Sequence, residues 1–313
     1  MKRILFLAVL AIILCSHDMF LKPRGYYLAQ NPEAVIALYN GTWYRSDNVI
    51  DCDRMIDVSI ISNGTRSRKD STAWTEENKA TLLHFTTGEE GTYVAGVSTH
   101  AKKIEADAKD FNEYLEHDGV HDMLQWRKDN GALNDDAVEK YSKHVKTIVQ
   151  VGETRTRDWN VNLGYPIEFI PLKNPYKLEE GYEMRVMLLR NGKPLPNQLV
   201  YLGTPQHHHS HEDSEDHGDD HHHDVTQLET DDNGRLSFKV EKEGIHYLRT
   251  IHMTQSDEAG LTHESNWATL SFEIGHGYVH DPVKSRKQTL MTIGGILLLS
   301  LIFYIYQLSL IHI

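Results

Sequence analysis

The chain reads as a mainly β protein, and three observations carry that reading. Short β-branched and aromatic runs recur along it, Gly and Asn turn signals separate them, and a single stretch has helical spacing. An apolar segment stands at each end of this body, and a tract of histidines and acids interrupts its second half.

Residues 1–16 read as a secretory signal. Lys2 and Arg3 precede the run ILFLAVLAIILC, which is too short to span a bilayer. Cleavage after Ser16 makes His17 the new N-terminus; the rival exit is lipidation at Cys15. Leu14 is larger than either exit prefers, and cleavage before His17 is the favoured one.

Residues 17–163 form an N-terminal β domain. VIALYN, IDVSII, TLLHFTT and GTYVAGVSTH have the composition of strands. From about 104 to 144 the pattern turns helical, with Phe111, Tyr114, Leu115, Met123, Leu124 and Trp126 at three- and four-residue spacing, so a helical insertion is expected there. KTIVQV returns to strand.

Residues 164–275 form the second domain. MRVMLL is a strand, RNGKPLPN a turn on Asn191-Gly192, and QLVYLG the expected partner strand. TDDNGRLSFKV repeats the scheme on Asn233-Gly234, and GIHYLRTIHM and ATLSFEI add two strands. Evenly spaced short strands with such turns predict an immunoglobulin-like sandwich, and the whole body is read as two β-sandwich domains, the first with the helical insertion.

After a juxtamembrane linker (276–289), residues 290–311 read LMTIGGILLLSLIFYIYQLSLI without a charge. As a helix they would extend about 33 Å, enough for a hydrocarbon core of about 30 Å. Lys284, Arg286 and Lys287 on the near side oppose an external body by the positive-inside bias, but large domains translocate largely regardless of such charges. The expected protein is a single-pass cell-membrane protein with its bulk in the periplasm or another extracytoplasmic space.

Net charge is −13, of which the tract at 207–224 supplies −7. An acidic body excludes nucleic acid as a partner and disfavours an anionic membrane surface. Cys52 is the only cysteine left after cleavage before His17, so an intramolecular disulfide and a cysteine-based metal knuckle are both excluded. A metal here must be held by nitrogen and oxygen.

The tract, HHHSHEDSEDHGDDHHHD, holds eight of the chain's twenty histidines: His207, His208, His209, His211, His217, His221, His222 and His223. Neutral imidazole is a ligand for zinc, copper, nickel and cobalt, and the interleaved carboxylates concentrate cations around it. Proteins also carry solvated polar loops of such composition without a ligand, but this density of imidazole favours capture of a divalent transition metal. Gly218 and Ser210 leave the loop without a packed shell, so the capture is loose and reversible.

Several segments together resemble a known family. They are HDMFLKP, FNEYLEHDGV, YSKHVKTIVQVG, GYPIEFIPLKNPY, LLRNGKPLPNQLVYL, TDDNGRLSF, the IHM strand and NWATLSFEI. From His17 to about Ile274 the chain is similar to the exported domain family of unknown function labelled as the periplasmic component of nickel or cobalt uptake systems (NikM-like, NikK-like). The resemblance implies nickel or cobalt binding beside a membrane metal transporter. The tract and the terminal anchor depart from the family, and the tract also resembles histidine-rich loops of zinc-handling proteins.

An N-terminal His17 would offer its α-amino and imidazole nitrogens together, a clamp suited to nickel or copper. The resemblance carries the His-Asp start onto His17 and Asp18. It also places a histidine in the strand of His252. There alternation puts His246, Leu248, Thr250 and His252 on one face and Ile245, Tyr247, Ile251 and Met253 on the other, the better core face. His84 and His100, on strands of the first domain, could complete a site between domains, though each alone reads as an ordinary surface histidine. His117 and His121, four apart in the insertion, with His144, His276 and His280, are weaker candidates.

A rival reading is an N-terminal-histidine copper protein or copper enzyme; a third is a structural surface module without metal. No nucleophile elbow, HExxH, phosphate loop or dinucleotide fingerprint is present, so an enzyme is not the expected reading.

Overall fold

A computed structural model describes residues 18–205 and 225–275; the apolar N-terminal run, the histidine tract and the apolar C-terminal run lie outside the described residues. The first half contains β1 (Asp18–Pro23), β2 (Tyr27–Leu28), β3 (Glu33–Gly41), β4 (Met55–Ser62), β5 (Thr65–Arg68), β6 (Trp74–Glu77), β7 (Ala80–Thr86), β8 (Gly91–Thr99) and β9 (Lys102–Ala106). Helices α1 (Ala108–His117) and α2 (His121–Asp129) follow, then β10 (Ala137–Val151) and β11 (Ile167–Pro171). The rest is β12 (Glu183–Arg190), β13 (Lys193–Pro194), β14 (Leu199–Gly203), β15 (Val225–Glu229), β16 (Arg235–Lys239), β17 (Gly244–Gln255) and β18 (His263–Ile274).

The strands make three sheets. An N-terminal sheet runs β1-β3-β7-β6, and a C-terminal sheet runs β11-β12-β13 with β16 on β12. Between them a ten-stranded central sheet runs β15-β14-β17-β18-β10-β8-β4-β5, with β2 and β9 also on β10. Strands β10 and β18 pair in parallel from Glu139↔His263 to Thr147↔Ser271, joining the two halves of the chain in one sheet.

The central sheet is covered on both faces. Thr269 Oγ1 and Ser271 Oγ donate to the carbonyls of Met19 and Leu21 in β1 at 2.8 and 2.6 Å, so the odd-numbered face of β18 lies under the N-terminal sheet. One residue along the pleat, Lys146 Nζ reaches Glu168 Oε2 and the Phe169 carbonyl of β11, both at 3.0 Å, so the even-numbered face of β10 meets the C-terminal sheet. Every residue of β8, of 143–151 in β10 and of 265–272 in β18 is therefore buried. Each apolar side chain fully withdrawn from water there contributes about 1.5–3 kcal/mol.

Helices α1 and α2 continue the odd-face cover beyond the end of the N-terminal sheet. Asp107 caps α1 by accepting from the Asp110 N–H at 2.9 Å. Phe111, Leu115, Met123 and Leu124 then pack with Ile251, Met253 and Trp267 of β17 and β18. The seam between β1 and α1 is where the central sheet is thinly covered.

Four sequence expectations are corrected. Helix ends at Asp129, and 137–144 is strand, because its alternating residues pair with β9 and β18 rather than coil. The partner of β12 across Asn191-Gly192 is the two-residue β13; QLVYLG, containing β14, pairs with β15 and β17 in the central sheet instead. Strand β16, after Asn233-Gly234, pairs with β12 and not with its predecessor β15. On β17 the face bearing His246, Leu248 and Thr250 is the core face, each being at most 3% exposed. The turn chemistry itself is as read: Asn191 and Gly192 both have positive φ (50° and 73°), the requirement of a two-residue primed turn. No helix among the described residues is long and apolar enough to cross a membrane, and 290–311 lies outside them.

Candidate functional site

Asp18 opens β1 opposite Gly41 of β3, and the alternation of β1 turns Asp18 and Phe20 toward β17. Phe20 meets Tyr247 edge-on at 5.1 Å between ring centroids. Asp18 Oδ2 lies 3.4 Å from Arg249 Nε. The Arg249 guanidinium in turn sits 4.5 Å over the Tyr201 ring of β14, and the Tyr201 hydroxyl donates to the Gly119 carbonyl at 3.2 Å. The corner between α1 and α2, His117–Gly119, is thereby docked beside the start of β1.

That corner needs glycine. Gly119 has φ +75°, and a Cβ there would overlap the Tyr201 hydroxyl. Gly119→Ala is expected to cost about 2–4 kcal/mol through left-handed strain and the clash, read as a lowered thermal midpoint. An unchanged midpoint would show that the corner is not held by Tyr201.

The electrostatics here are those of carboxylates withdrawn from water. Burial raises the Asp18 carboxyl above its ordinary value and nearby Asp118 adds to this, while Arg249, Lys143 and His117 oppose it. Asp118 Oδ1 lies 3.3 Å from His117 Nδ1, and its Oδ2 is buried with no hydrogen-bond partner. Burial pushes Glu139 up to about 7, against its bonds to Ser265 and Tyr114. Burial also brings Lys143 down to about 8, against the pull of Asp18 and Asp118. A buried carboxylate oxygen without a hydrogen-bond partner is uncommon and marks this corner as a polar site whose acceptor capacity is unused.

The residues predicted from sequence are dispersed. His17, peptide-bonded to Asp18, lies outside the described residues, as do His207, His208, His209, His211, His217, His221, His222 and His223. The strands flanking the tract are described: Gly203 of β14 and Val225 of β15 pair directly, at one edge of the central sheet. His84 lies on β7 with both ring nitrogens engaged, Nδ1 with Glu33 at 2.9 Å and Nε2 with Thr75 at 2.8 Å. His100 is exposed after β8. His252 is half-buried on the C-terminal-sheet side of the central sheet, its Nδ1 2.8 Å from Gln198 Oε1. The structure therefore does not bring His84, His100 and His252 together, and no group of three His, Cys, Asp or Glu side chains among the described residues is arranged to hold a metal.

Sequence reasoning passed over Asp118 and Arg249 and ranked His117 low. The available signal was the helix-ending EHDG at 116–119, whose glycine marks a fixed corner. Nothing local ties that corner to Asp18 or Arg249, which lie about 100 and 130 residues away in sequence.

Solved structures give distant likenesses. Each of three aligns with 82% of this chain. They are latent PorU of Porphyromonas gingivalis (11% identity, TM-score 0.19), the D0–D1 domain of intimin (10%, 0.17) and activated alpha-2-macroglobulin from Escherichia coli (10%, 0.19). The chain spans 20% of the PorU chain, 97% of the intimin fragment and 16% of the macroglobulin. No curated protein matches it. The model of the family described as a domain of unknown function, DUF4198, matches residues 14–254, and the chain belongs to that family.

Proposed function

We propose that this protein is a membrane-anchored, extracytoplasmic binder of transition metals that captures nickel or cobalt and supplies it to a membrane uptake system. One observation carries the reading: eight imidazoles and seven carboxylates are inserted between Gly203 and Val225, two residues along β14 from Tyr201. Through Arg249, Tyr201 leads to Asp18, Asp118 and His117. The strand that leads into the tract is thus linked through Tyr201 and Arg249 to the carboxylates of Asp18 and Asp118. The tract raises the local metal concentration; the amine and imidazole of an N-terminal His17, with Asp18 beside it and the Asp118 carboxylate near Asp18, hold one ion.

The preference for nickel or cobalt rests on the family resemblance, since ligand type alone ranks copper higher and suits zinc equally. Export rests on residues 1–16 and anchorage on 290–311. The immunoglobulin-like reading of the second half belongs to the same proposal, supported by the C-terminal sheet facing β17 and β18. No enzymatic activity is proposed.

Native mass spectrometry of the exported protein, with and without 207–224, titrated with nickel, cobalt, zinc and copper, tests this. The expected result is several weak ions on the intact chain and one tight ion that survives tract deletion and is weakened at least about tenfold by Asp118→Asn. Binding that disappears with the tract reduces the protein to a metal buffer, and no binding in either form sinks the reading. Copper accompanied by substrate-dependent oxygen consumption would replace it with the copper-enzyme reading.

A further inference from the structure

We propose that the cavity at the seam between β1 and α1 is a binding site for a small organic monocarboxylate, held by the guanidinium of Arg54. The cavity measures about 230 Å³, and exposed Asp51 and Lys102 are among the residues that line it. It stands apart from the metal reading and does not depend on it.

Arg54 is 9% exposed, lines the cavity, and its Nη1 is buried without a hydrogen-bond partner. No carboxylate among the described residues forms an ion pair with it, although Asp51 lines the same cavity. Among the described residues its side-chain partner is the face of Tyr141, 5.2 Å from the guanidinium carbon. Such a cation–π contact is worth about 0.5–2 kcal/mol, whereas withdrawing a cation from water costs several kcal/mol. The balance is unfavourable, and it is closed by an anion with two parallel acceptors. A carboxylate matches the guanidinium fork in this way.

Charge sets the ligand at one negative unit. The second buried cation lining the cavity, Lys143, hydrogen-bonds Asn40 Oδ1 at 3.3 Å and lies 4.8 Å over the Trp267 ring. Its field is opposed by Asp18, Asp118 and Glu139. Of the charged side chains lining the cavity, the cations Arg54, Lys102 and Lys143 outnumber the carboxylates Asp51 and Glu139 by one, so a single negative charge balances them. Size and polarity set the body. Met19, Ile50, Ile104, Phe111 and Trp267 line the walls, so the part beyond the carboxylate is apolar. A cavity of about 150 Å³ accepts benzene, so about 230 Å³ accommodates a flat ring bearing one carboxylate.

Benzoate and its uncharged counterpart benzamide are the probes, followed by isothermal titration calorimetry on the full-length protein in detergent. Benzoate is expected to bind one to one with Kd below about 1 mM, and benzamide at least about tenfold more weakly. Arg54→Gln should weaken benzoate by a similar factor and leave benzamide unchanged. Arg54→Met is expected to lose benzoate binding while raising the thermal midpoint of the ligand-free protein, because it removes an uncompensated charge; a purely structural arginine would lower it. Equal affinity for the two probes, benzoate binding indifferent to Arg54→Gln, or no saturable benzoate binding overturns the proposal.

Discussion

Glu168→Ala is expected to destabilise the protein by at least about 3–5 kcal/mol, a large part of the roughly 5–15 kcal/mol that holds a domain folded. The carboxylate of Glu168 is 2% exposed and joins two layers of the molecule. It accepts from Lys146 Nζ at 3.0 Å on the central sheet, and from the N–H groups of Leu163, Gly164 and Tyr165 at 3.0, 2.9 and 3.2 Å in the loop entering β11. Truncation leaves the Leu163 and Tyr165 N–H groups without an acceptor, at about 1–3 kcal/mol each, and a buried ammonium with only the Val161 and Phe169 carbonyls and no counter-charge; the Gly164 N–H keeps Asn162 Oδ1. Lys146→Met is the milder change, since Glu168 keeps its three N–H donors. Combining Lys146→Met with Glu168→Ala should cost clearly less than the sum of the two. Urea unfolding followed by circular dichroism measures all three, and strict additivity would show that the pair does not act as a unit.

Acidification below pH 6.5 is expected to destabilise the fold, with His144 as the main cause. Burial first, and Arg190 second, bring His144 down from 6.5 to about 4, while its bond to Asn266 opposes them. Its ring is held neutral between Ser98 Oγ at 2.9 Å and Ser142 Oγ at 3.0 Å. The unfolded chain binds a proton between pH 6.5 and 4 that the folded one refuses. The stability is thus fully present above 6.5 and is lost as pH falls through 4. A displacement of this size corresponds to about 3 kcal/mol. His263, also brought to about 4 by burial and then by Arg127, adds to this loss in the same pH window.

Glu139 works in the opposite direction. Its folded value of about 7 exceeds the ordinary 4.5, so its contribution is greatest below 4.5 and is lost as pH rises through 7. His144→Gln should therefore flatten the loss of stability between pH 7 and 4 by about 3 kcal/mol, and Glu139→Gln should steepen it by a similar amount. Unfolding free energies at pH 7, 5.5 and 4 measure both, and parallel curves for the variants and the parent would refute the assignment.

Strand composition and turn chemistry were legible from local residues. VIALYN, IDVSII, TLLHFTT and GTYVAGVSTH all lie in or along strands, and Asn191-Gly192 makes its turn. What was misread depends on cover from elsewhere in the chain. On β17 Ile251 and Met253 looked like the core face because both are large and apolar; they are buried by α1 and α2, while the C-terminal sheet buries His246, Leu248 and Thr250. Residues 137–144 looked helical because Glu139 and Lys143, polar residues at buried positions, hid the two-residue period. Asp18 could be singled out from its place after the signal, but its grouping with Asp118, His117 and Arg249 could not.

The sequence by itself determined the β class, the turn positions, the export and anchor expectations and the density of metal-ligating groups in 207–224. These follow from nearest neighbours in the chain, where side-chain chemistry and backbone preference act directly. Only the tertiary structure decided that the central sheet is covered on both faces, that β14 leaves β12 for β17, and that Arg54 faces a cavity without a partner anion. Those outcomes turn on which distant segments exclude water from which face, a balance of burial that no local pattern encodes.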